Sequence, residues 1–220
     1  MFMFLSHPLD PEGYAWPGEP VVKVKQCTDV SDDCPFCSFI SEVPNHCGTH
    51  MDAPRHFVKD GLSINELPIE YFCHTEVALL EIPKGPAEGI YKEDLEPFAD
   101  TLSKVSFALI RTGMEKYRET DQNIYQNEGV YIAPSAGDYL TEEFPNLKGI
   151  GMDFLAIGSA SSKCPEGELP PDCHRHLLGY YTGKFVTGVE GTKITRFFNA
   201  PLRIKGLDSS QVVCIAEIEE

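Results

Sequence analysis

The sequence predicts a mixed fold, of the α/β or α+β class, for a chain of 220 residues. Short segments rich in apolar and β-branched residues are interspersed with segments that have helical starts, but the two kinds do not alternate strictly. Hydrophobic residues make up 42% of the chain, which is enough for a substantial core. Because no repeat, low-complexity tract or linker divides the sequence, we expect a single domain over residues 1–220.

The predicted strands are short runs of apolar or alternating residues. They lie at residues 21–25, 75–82, 105–110, 149–155 and 212–218. The predicted helices are marked by acidic residues in the first turn or by a capping residue at the start. They lie at residues 92–102, 135–144 and 172–180.

Charge and composition exclude several classes of partner. The formal net charge is −16, whereas nucleic acids and anionic membranes are bound by clustered Lys and Arg. No apolar run approaches the roughly 18 residues of a spanning helix, and residues 1–5 lack the basic region of a secretion signal. We therefore expect a cytoplasmic protein whose partner is a small molecule, with no nucleic acid and no membrane.

The chain has eight cysteines, and Cys34 and Cys37 form a C-x-x-C motif. Such a pair can be a redox dithiol or half of a zinc site. No second C-x-x-C exists, and the flanking residues do not predict a strand that enters a helix. A structural or incidental role for these two thiols is favoured.

Residues 46–57 are the segment that is richest in metal-ligand side chains. His46, His50, Asp52 and His56 place three of the seven histidines and one carboxylate within eleven residues. Imidazole and carboxylate groups without thiolate are typical of a catalytic metal site. Prolines and Gly48 make a continuous helix improbable, and side chains at even positions of an extended segment share one face. The sequence therefore predicts that these four side chains converge from a strand and its flanking loop.

This segment resembles the H-x-G-T-H-x-D-x-P-x-H motif of the cyclase family of metal-dependent hydrolases, which includes kynurenine formamidases and isatin hydrolases. Further similarity lies in S-H-P-L … W-P-G near the start, in R-T-G at residues 111–113 and in A-P-L-x-I-x-G at residues 200–206, which resembles the closing strand of the family. The resemblance covers nearly the whole chain. It implies a swivelling β/β/α domain that assembles as a homodimer or a higher homo-oligomer.

The resemblance also implies further site residues. Trp16 matches a tryptophan near the substrate, although a tryptophan beside Pro-Gly is also typical of a rigid turn packed on the core. His174 matches a ligand in the family's H-R-x-L-L-G helix, with His176 as the alternative, and Glu190 matches a ligand at a strand end. The interval from His174 to Glu190 is about four residues longer than in the family, and a loop at residues 180–183 is the expected place for the extra residues.

The implied ligand set is His46, His50, Asp52, His174 and Glu190, which suits zinc or manganese, as one or two ions per chain. His56 is the predicted acid–base residue, and a further ligand is its alternative role. The expected reaction is hydrolysis of a carbon–nitrogen bond in an amide or cyclic amide, with N-formylkynurenine as the leading substrate. The alternatives are a cyclase or dehydratase of a polyketide-type or other small carbonyl substrate, and a non-catalytic metal-binding protein.

Overall fold

The longest strand forms where buried and accessible side chains alternate. In Ser209–Ile218, Val212, Cys214 and Ala216 are buried, whereas Val213 is exposed. A period of two residues is the mark of a strand with one covered face. This strand borders three others and forms the centre of the antiparallel part of the fold.

The computed structural model describes residues 1–13, 18, 20–158, 180–182 and 193–219, with the backbone alone at 180–182. Within these residues the strands are β1 Phe2–Phe4, β2 Lys23–Thr28, β3 Ser38–Glu42, β4 His50–Asp52, β5 Cys73–His74, β6 Val77–Glu81, β7 Gly89–Ile90, β8 Phe107–Arg111, β9 Tyr131–Ile132, β10 Gly149–Met152, β11 Tyr180–Thr182, β12 Ile194–Pro201 and β13 Ser209–Ile218.

The α-helices are short. In the described residues they are α1 Lys92–Leu95, α2 Ala99–Leu102, α3 Glu115–Thr120, α4 Gln122–Asn127 and α5 Pro134–Glu143. Single turns of 3₁₀-helix lie at Pro54–His56, Ile64–Glu66, Ile69–Tyr71 and Glu96–Phe98. None of the described helices is both long enough and apolar enough to cross a membrane.

The main sheet has an antiparallel half and a parallel half that meet at β4. The strand order is β5-β12-β13-β4-β11-β10-β8-β6, and β1 also pairs with β13. Strands β6, β8, β10 and β11 run parallel to one another, whereas β4 is antiparallel to both β11 and β13. The three-residue strand β4 is therefore the junction of the two halves.

The two buried clusters show a layered arrangement. On β8, Ala108 and Ile110 belong to a core shared with the helices, whereas Phe107 and Leu109 belong to a core shared with β12 and β13. Alternate side chains of one strand thus face opposite layers. Helices, parallel strands and antiparallel strands are stacked in that order, which agrees with the expected β/β/α arrangement.

Strands β2 and β3 form a separate antiparallel hairpin, whose side chains are mostly exposed. Cys34 and Cys37 lie in the connection between these strands as free thiols. The predicted strand at residues 21–25 is present, but it begins two residues later and extends to Thr28.

The other predicted strands and two of the predicted helices are present, with shifted ends. The predicted helix 92–102 is divided into α1, a 3₁₀ turn and α2, because Pro97 has no N–H for a continuous α-helix. The predicted helix 135–144 begins at Pro134 with Ala133 at the N-cap position, so Ser135 is not the cap. Proline is favoured at the first position of a helix, because its missing N–H would have no partner there.

Two expectations about the second half of the chain are wrong in part. Residues 180–182 were the expected loop and the predicted end of a helix, but they form β11, which pairs with β10 and β4. The preceding positions of that helix, residues 172–179, lie outside the described residues. The expected strand 200–206 ends at Pro201, and Gly206 has a φ of 85°, which belongs to a turn.

Candidate metal centre

The predicted convergence of residues 46–56 rests on the short strand β4. His50 and Asp52 are two residues apart and share a face of β4, while Met51 between them enters the core shared with β12 and β13. His46 lies in the loop before β4, and His56 ends the 3₁₀ turn Pro54–His56 after it. The strand and its two flanking segments thus place all four side chains around one point.

Asp52 is at the centre of this group. Its carboxylate is buried, and neither oxygen has a hydrogen bond of regular geometry within the described residues. Oδ1 is 3.1 Å from Nδ1 of His46 and 3.5 Å from Nε2 of His50, and Oδ2 is 3.7 Å from Nε2 of His56. The carboxylate therefore faces three imidazoles that it does not bind through a regular set of hydrogen bonds.

The outer nitrogens of the three rings have other partners. Nδ1 of His50 lies 2.9 Å from the carbonyl oxygen of Gly48, whose φ of 71° is a backbone conformation that favours glycine. Nε2 of His46 and Nδ1 of His56 lie 3.0 Å and 2.8 Å from the same oxygen, Oδ2 of Asp208. Because carbonyl and carboxylate oxygens accept hydrogen bonds, these outer ring nitrogens are the donors.

Asp208 was not among the residues predicted from the sequence. It immediately precedes β13, and its backbone carbonyl accepts a hydrogen bond from the N–H of Ala53 at 2.7 Å. An aspartate after a glycine turn is a weak sequence signal, since Asp is common at turns. The pairing of β13 with β4 is what brings this residue to the site.

Burial and charge shift the pKa values of the group in opposite directions. Burial by itself would lower the pKa of His46, but its contacts with Asp52 and Asp208 raise the pKa to about 9. Burial would raise the pKa of Asp52, but the neighbouring imidazoles lower it to about 2. The pKa of His50 is lowered because burial outweighs the attraction of Asp52. Asp52 is therefore an anion, and His50 is a neutral imidazole near pH 7.

The donor atoms fit a divalent metal ion. His46, His50 and Asp52 form one group whose ligand atoms lie within 4.8 Å of one another, and His46, His56 and Asp208 form a second such group. A buried carboxylate without regular hydrogen bonds is costly unless a cation compensates it. Imidazole nitrogens and carboxylate oxygens are usual donors to such an ion.

The other residues predicted at the site lie outside the described residues: Trp16, His174, Glu190 and the alternative His176. Cys47 is buried beside the group, but it belongs to neither of the possible metal-binding sets in the described residues. Arg111 forms an ion pair with Glu81 at 3.2 Å, and Gly113 has the positive φ expected at the end of this strand.

The chain is similar in sequence to a protein family and to individual proteins. Residues 3–159 match the model of the family described as "Putative cyclase". An uncharacterized protein of Haemophilus influenzae is 65% identical over 139 residues, which are 63% of this chain and 98% of that protein. The kynurenine formamidase of Delftia acidovorans is 27% identical over 149 residues, which are 67% of this chain and 66% of that enzyme. The match thus spans just under two thirds of the formamidase.

Solved structures share the fold. Isatin hydrolase A from Labrenzia aggregata, bound to benzyl benzoate, superposes with a TM-score of 0.79 at 22% identity, covering 100% of this chain and 94% of that chain. A potential metal-dependent hydrolase with cyclase activity gives a TM-score of 0.73 at 19% identity, covering 100% and 98%. At these identities the similarity establishes the architecture.

Proposed function

Because this chain belongs to the putative cyclase family, we propose that it is a metal-dependent hydrolase that cleaves the carbon–nitrogen bond of an amide or a cyclic amide. The observation that carries the proposal is the buried carboxylate of Asp52, which faces three imidazole nitrogens at 3.1 to 3.7 Å and has no regular hydrogen bond to any described residue. A carboxylate that only stabilises the fold would have its oxygens paired with backbone or side-chain donors. This arrangement instead suits a bound cation.

The proposed ligands are His46, His50, Asp52, His174 and Glu190, which hold one or two zinc or manganese ions. The inner nitrogens of His46 and His50 already face Asp52. His174 and Glu190 enter this set through their match to the family motifs. Two carboxylates among five donors would allow two ions to share ligands, since a catalytic ion needs only three protein ligands and an open position.

A divalent ion held by these ligands would supply Lewis-acid chemistry, lowering the pKa of a bound water molecule and polarising the carbonyl of the substrate. His56 supplies the proton transfer. Its Nε2 faces Asp52, at the inner side of the site, while its Nδ1 is held by Asp208. His56 accepts a proton from the attacking water at Nε2 and donates it to the nitrogen that leaves when the carbon–nitrogen bond breaks.

The leading substrate is N-formylkynurenine, a small aryl formamide. The proposal is supported by the similarity to a kynurenine formamidase over two thirds of this chain. Cyclic amides such as isatin are the second candidates, and they share the same bond type. Trp16 is the proposed aromatic wall beside the substrate, and the protein is proposed to act as a homodimer or a higher homo-oligomer.

The test combines metal analysis with a substrate panel. Protein is stripped with a chelator, reloaded with zinc or manganese, and assayed with N-formylkynurenine, formanilides, isatin and a cyclic imide. We expect hydrolysis to be lost on stripping and restored on reloading. His56→Ala should keep its metal and lose roughly two to four orders of magnitude in rate. Arg55→Ala, an exposed neighbour on the same 3₁₀ turn, is the matched control and should remain active.

Two results would contradict the proposal. Full hydrolysis by demonstrably metal-free protein would exclude the metal as a participant. A metal-loaded protein that hydrolyses no amide of the panel would favour one of the alternatives: a cyclase or dehydratase if it converts a small carbonyl substrate, and a non-catalytic metal-binding protein if it converts none.

A further inference from the structure

We propose that Asp208 is a positioning residue that fixes the ring orientations and tautomers of both His46 and His56, so that their inner nitrogens are directed at the proposed reaction centre. The kinetic part of this inference rests on the proposed function, whereas the tautomer assignment rests on geometry alone.

A single carboxylate oxygen contacts both rings. Oδ2 of Asp208 lies 3.0 Å from Nε2 of His46 and 2.8 Å from Nδ1 of His56. The two rings lie side by side, with centroids 4.1 Å apart and planes inclined by 35°. This arrangement allows one acceptor to receive an N–H from each ring. Rotation of either ring would break its contact with Asp208, so the two orientations depend on the same oxygen.

The contacts impose opposite tautomers on the two histidines. A neutral imidazole that donates from one nitrogen carries its lone pair on the other. In the neutral form that metal binding requires, His46 donates from Nε2, so its lone pair is on Nδ1, which is 3.1 Å from Oδ1 of Asp52. His56 donates from Nδ1, so its lone pair is on Nε2, which is 3.7 Å from Oδ2 of Asp52. One nitrogen is thus prepared to bind metal, and the other is prepared to accept a proton.

The same function is performed for His50 by the protein backbone. Nδ1 of His50 donates to the carbonyl oxygen of Gly48 at 2.9 Å, which leaves Nε2 facing Asp52 at 3.5 Å. In their neutral forms, all three rings therefore have an acceptor on the outer side and a lone pair on the inner side. Outer acceptors of this kind orient histidine ligands and set their tautomer in metal sites.

The carboxylate of Asp208 can orient two rings because a hydrogen-bond network holds it in place. Its Oδ1 accepts a hydrogen bond from Nδ2 of Asn45 at 2.6 Å, and the same amide donates to Oγ of Ser209 at 2.8 Å. Ser209 Oγ in turn donates to the backbone carbonyl of Asn45 at 3.0 Å. The pairing of Ser209 with Asp52 between β13 and β4 anchors the adjacent backbone. The carboxylate is thus held on both sides.

The alternative role for Asp208 is that of a direct metal ligand, since it forms a possible binding group with His46 and His56. The two roles make different demands on the metal content. Removing a direct ligand also removes an ion or most of the affinity for it. Removing an outer acceptor leaves the ligand set intact. Metal content at saturating zinc therefore separates the two roles.

The experiment compares wild type, Asp208→Asn and Asp208→Ala as zinc-loaded proteins with ¹⁵N-labelled histidine. Two-bond ¹⁵N–¹H spectra identify which ring nitrogen of His56 carries the proton. We expect Nδ1–H in the wild type and a mixed or Nε2–H form in Asp208→Ala. Zinc content at saturation should be unchanged, and kcat should fall about 10- to 100-fold, the usual effect of losing an outer acceptor, with KM little affected. Asp208→Asn keeps the size of the side chain and one acceptor oxygen, and its kcat should lie between those of the wild type and Asp208→Ala. It replaces Asp208→Ala in the comparison if the alanine variant does not fold.

Asp100→Ala is the matched control. It removes an exposed aspartate of α2 that has no part in the metal centre. In this variant His56 should keep the Nδ1–H form, and the protein should keep its zinc and its kcat. An unchanged Nδ1–H tautomer in both Asp208 variants, or zinc content reduced by half or more at saturation, would overturn the inference. If the tautomer changes as expected while the wild type hydrolyses no amide, the positioning role stands and the proposed function fails.

Discussion

Asp52 and Asp153 are both buried, with 3% and 1% of their surface exposed, but their surroundings differ. Asp153 accepts hydrogen bonds from the backbone N–H and the hydroxyl of Thr112, at 2.9 and 2.6 Å, and from the N–H of Gly113 at 2.7 Å. Asp52 has no regular hydrogen bond in the described residues and faces three imidazoles instead. Buried polar groups in proteins are normally hydrogen-bonded with regular geometry, so a buried carboxylate surrounded by imidazoles without such bonds indicates a site for a cation.

The pKa shifts of the two carboxyl groups follow the same difference. Burial raises the pKa of Asp153, and its hydrogen bonds only partly offset this effect. Burial acts on Asp52 in the same direction, but the imidazoles outweigh it and lower the pKa to about 2. The comparison shows that burial alone does not distinguish a metal-binding carboxylate from a structural one. The groups that surround the carboxylate oxygens make the distinction.

The largest expected difference is between Asp52→Ala and Asp153→Ala. Asp52→Ala should lose metal and hydrolysis together, since it removes the central donor. Asp153→Ala should keep the ligands but lose roughly 3 kcal/mol of unfolding free energy, because three donors at the end of β8, two of them buried, lose their acceptor. Metal content and urea unfolding of the folded variants measure both effects. Metal loss in Asp153→Ala at full folding would contradict the distinction.

The second prediction concerns the proposed metal ligands that lie outside the described residues. Glu190→Gln and His174→Ala should each lower zinc occupancy, because we propose that both side chains complete the site around Asp52. His176→Ala should leave the occupancy unchanged and serves as the matched control. Normal zinc content in Glu190→Gln, measured on folded protein, would show that the second half of the site involves other residues.

The pH dependence of stability should also separate the two carboxylates. The folded pKa of His46 is about 9, above the 6.5 of a free histidine, so its contribution is fully present below pH 6.5 and is lost as pH rises towards 9. The folded pKa of Asp52 is about 2, below its ordinary 3.8, so its contribution is present above pH 3.8 and is lost as pH falls towards 2. Asp153, whose pKa is raised, contributes less as pH increases through its folded pKa.

We therefore expect the melting temperature of the metal-free protein to decrease between pH 6.5 and 9. His46→Gln should show a smaller decrease over this interval. Zinc affinity should increase over the same interval, because His46 must lose its proton to bind metal. Thermal melts with and without zinc measure both trends. A flat profile for the metal-free wild type would show that His46 does not titrate in this interval.

The smallest effect is expected at the other candidate metal pair. Cys34 and Cys37 lie as free thiols in the β2–β3 hairpin, whose side chains are mostly exposed. The carboxylate of Asp52, by contrast, is buried. Cys34→Ser and Cys37→Ser should change the unfolding free energy by less than about 0.5 kcal/mol and leave zinc content unchanged. Loss of a zinc equivalent in either variant would assign them a metal-binding role.

The local part of the site was predictable from the sequence, and the long-range part was not. His50 and Asp52 share a face because alternate residues of a strand do so, and this rule needs only their spacing. Asp208 depends on the register of β13 against β4, which no local pattern specifies. Residues 180–182 were assigned to a loop from the length of an interval, although tyrosine and threonine favour strands. Their pairing with β10 and β4 decided the structure.

The contact between His46 and Asp208 has a consequence for biosynthesis. The two residues are separated by 162 positions, so a growing chain presents its histidine-rich segment long before the carboxylate that orients it has been made. Contacts of such large separation form late, because a long loop must close first. A metal ion captured early would meet imidazoles that are free to rotate and to exchange protons. Full metal retention is therefore expected only after β13 has docked against β4, as a closing event of folding rather than its nucleus.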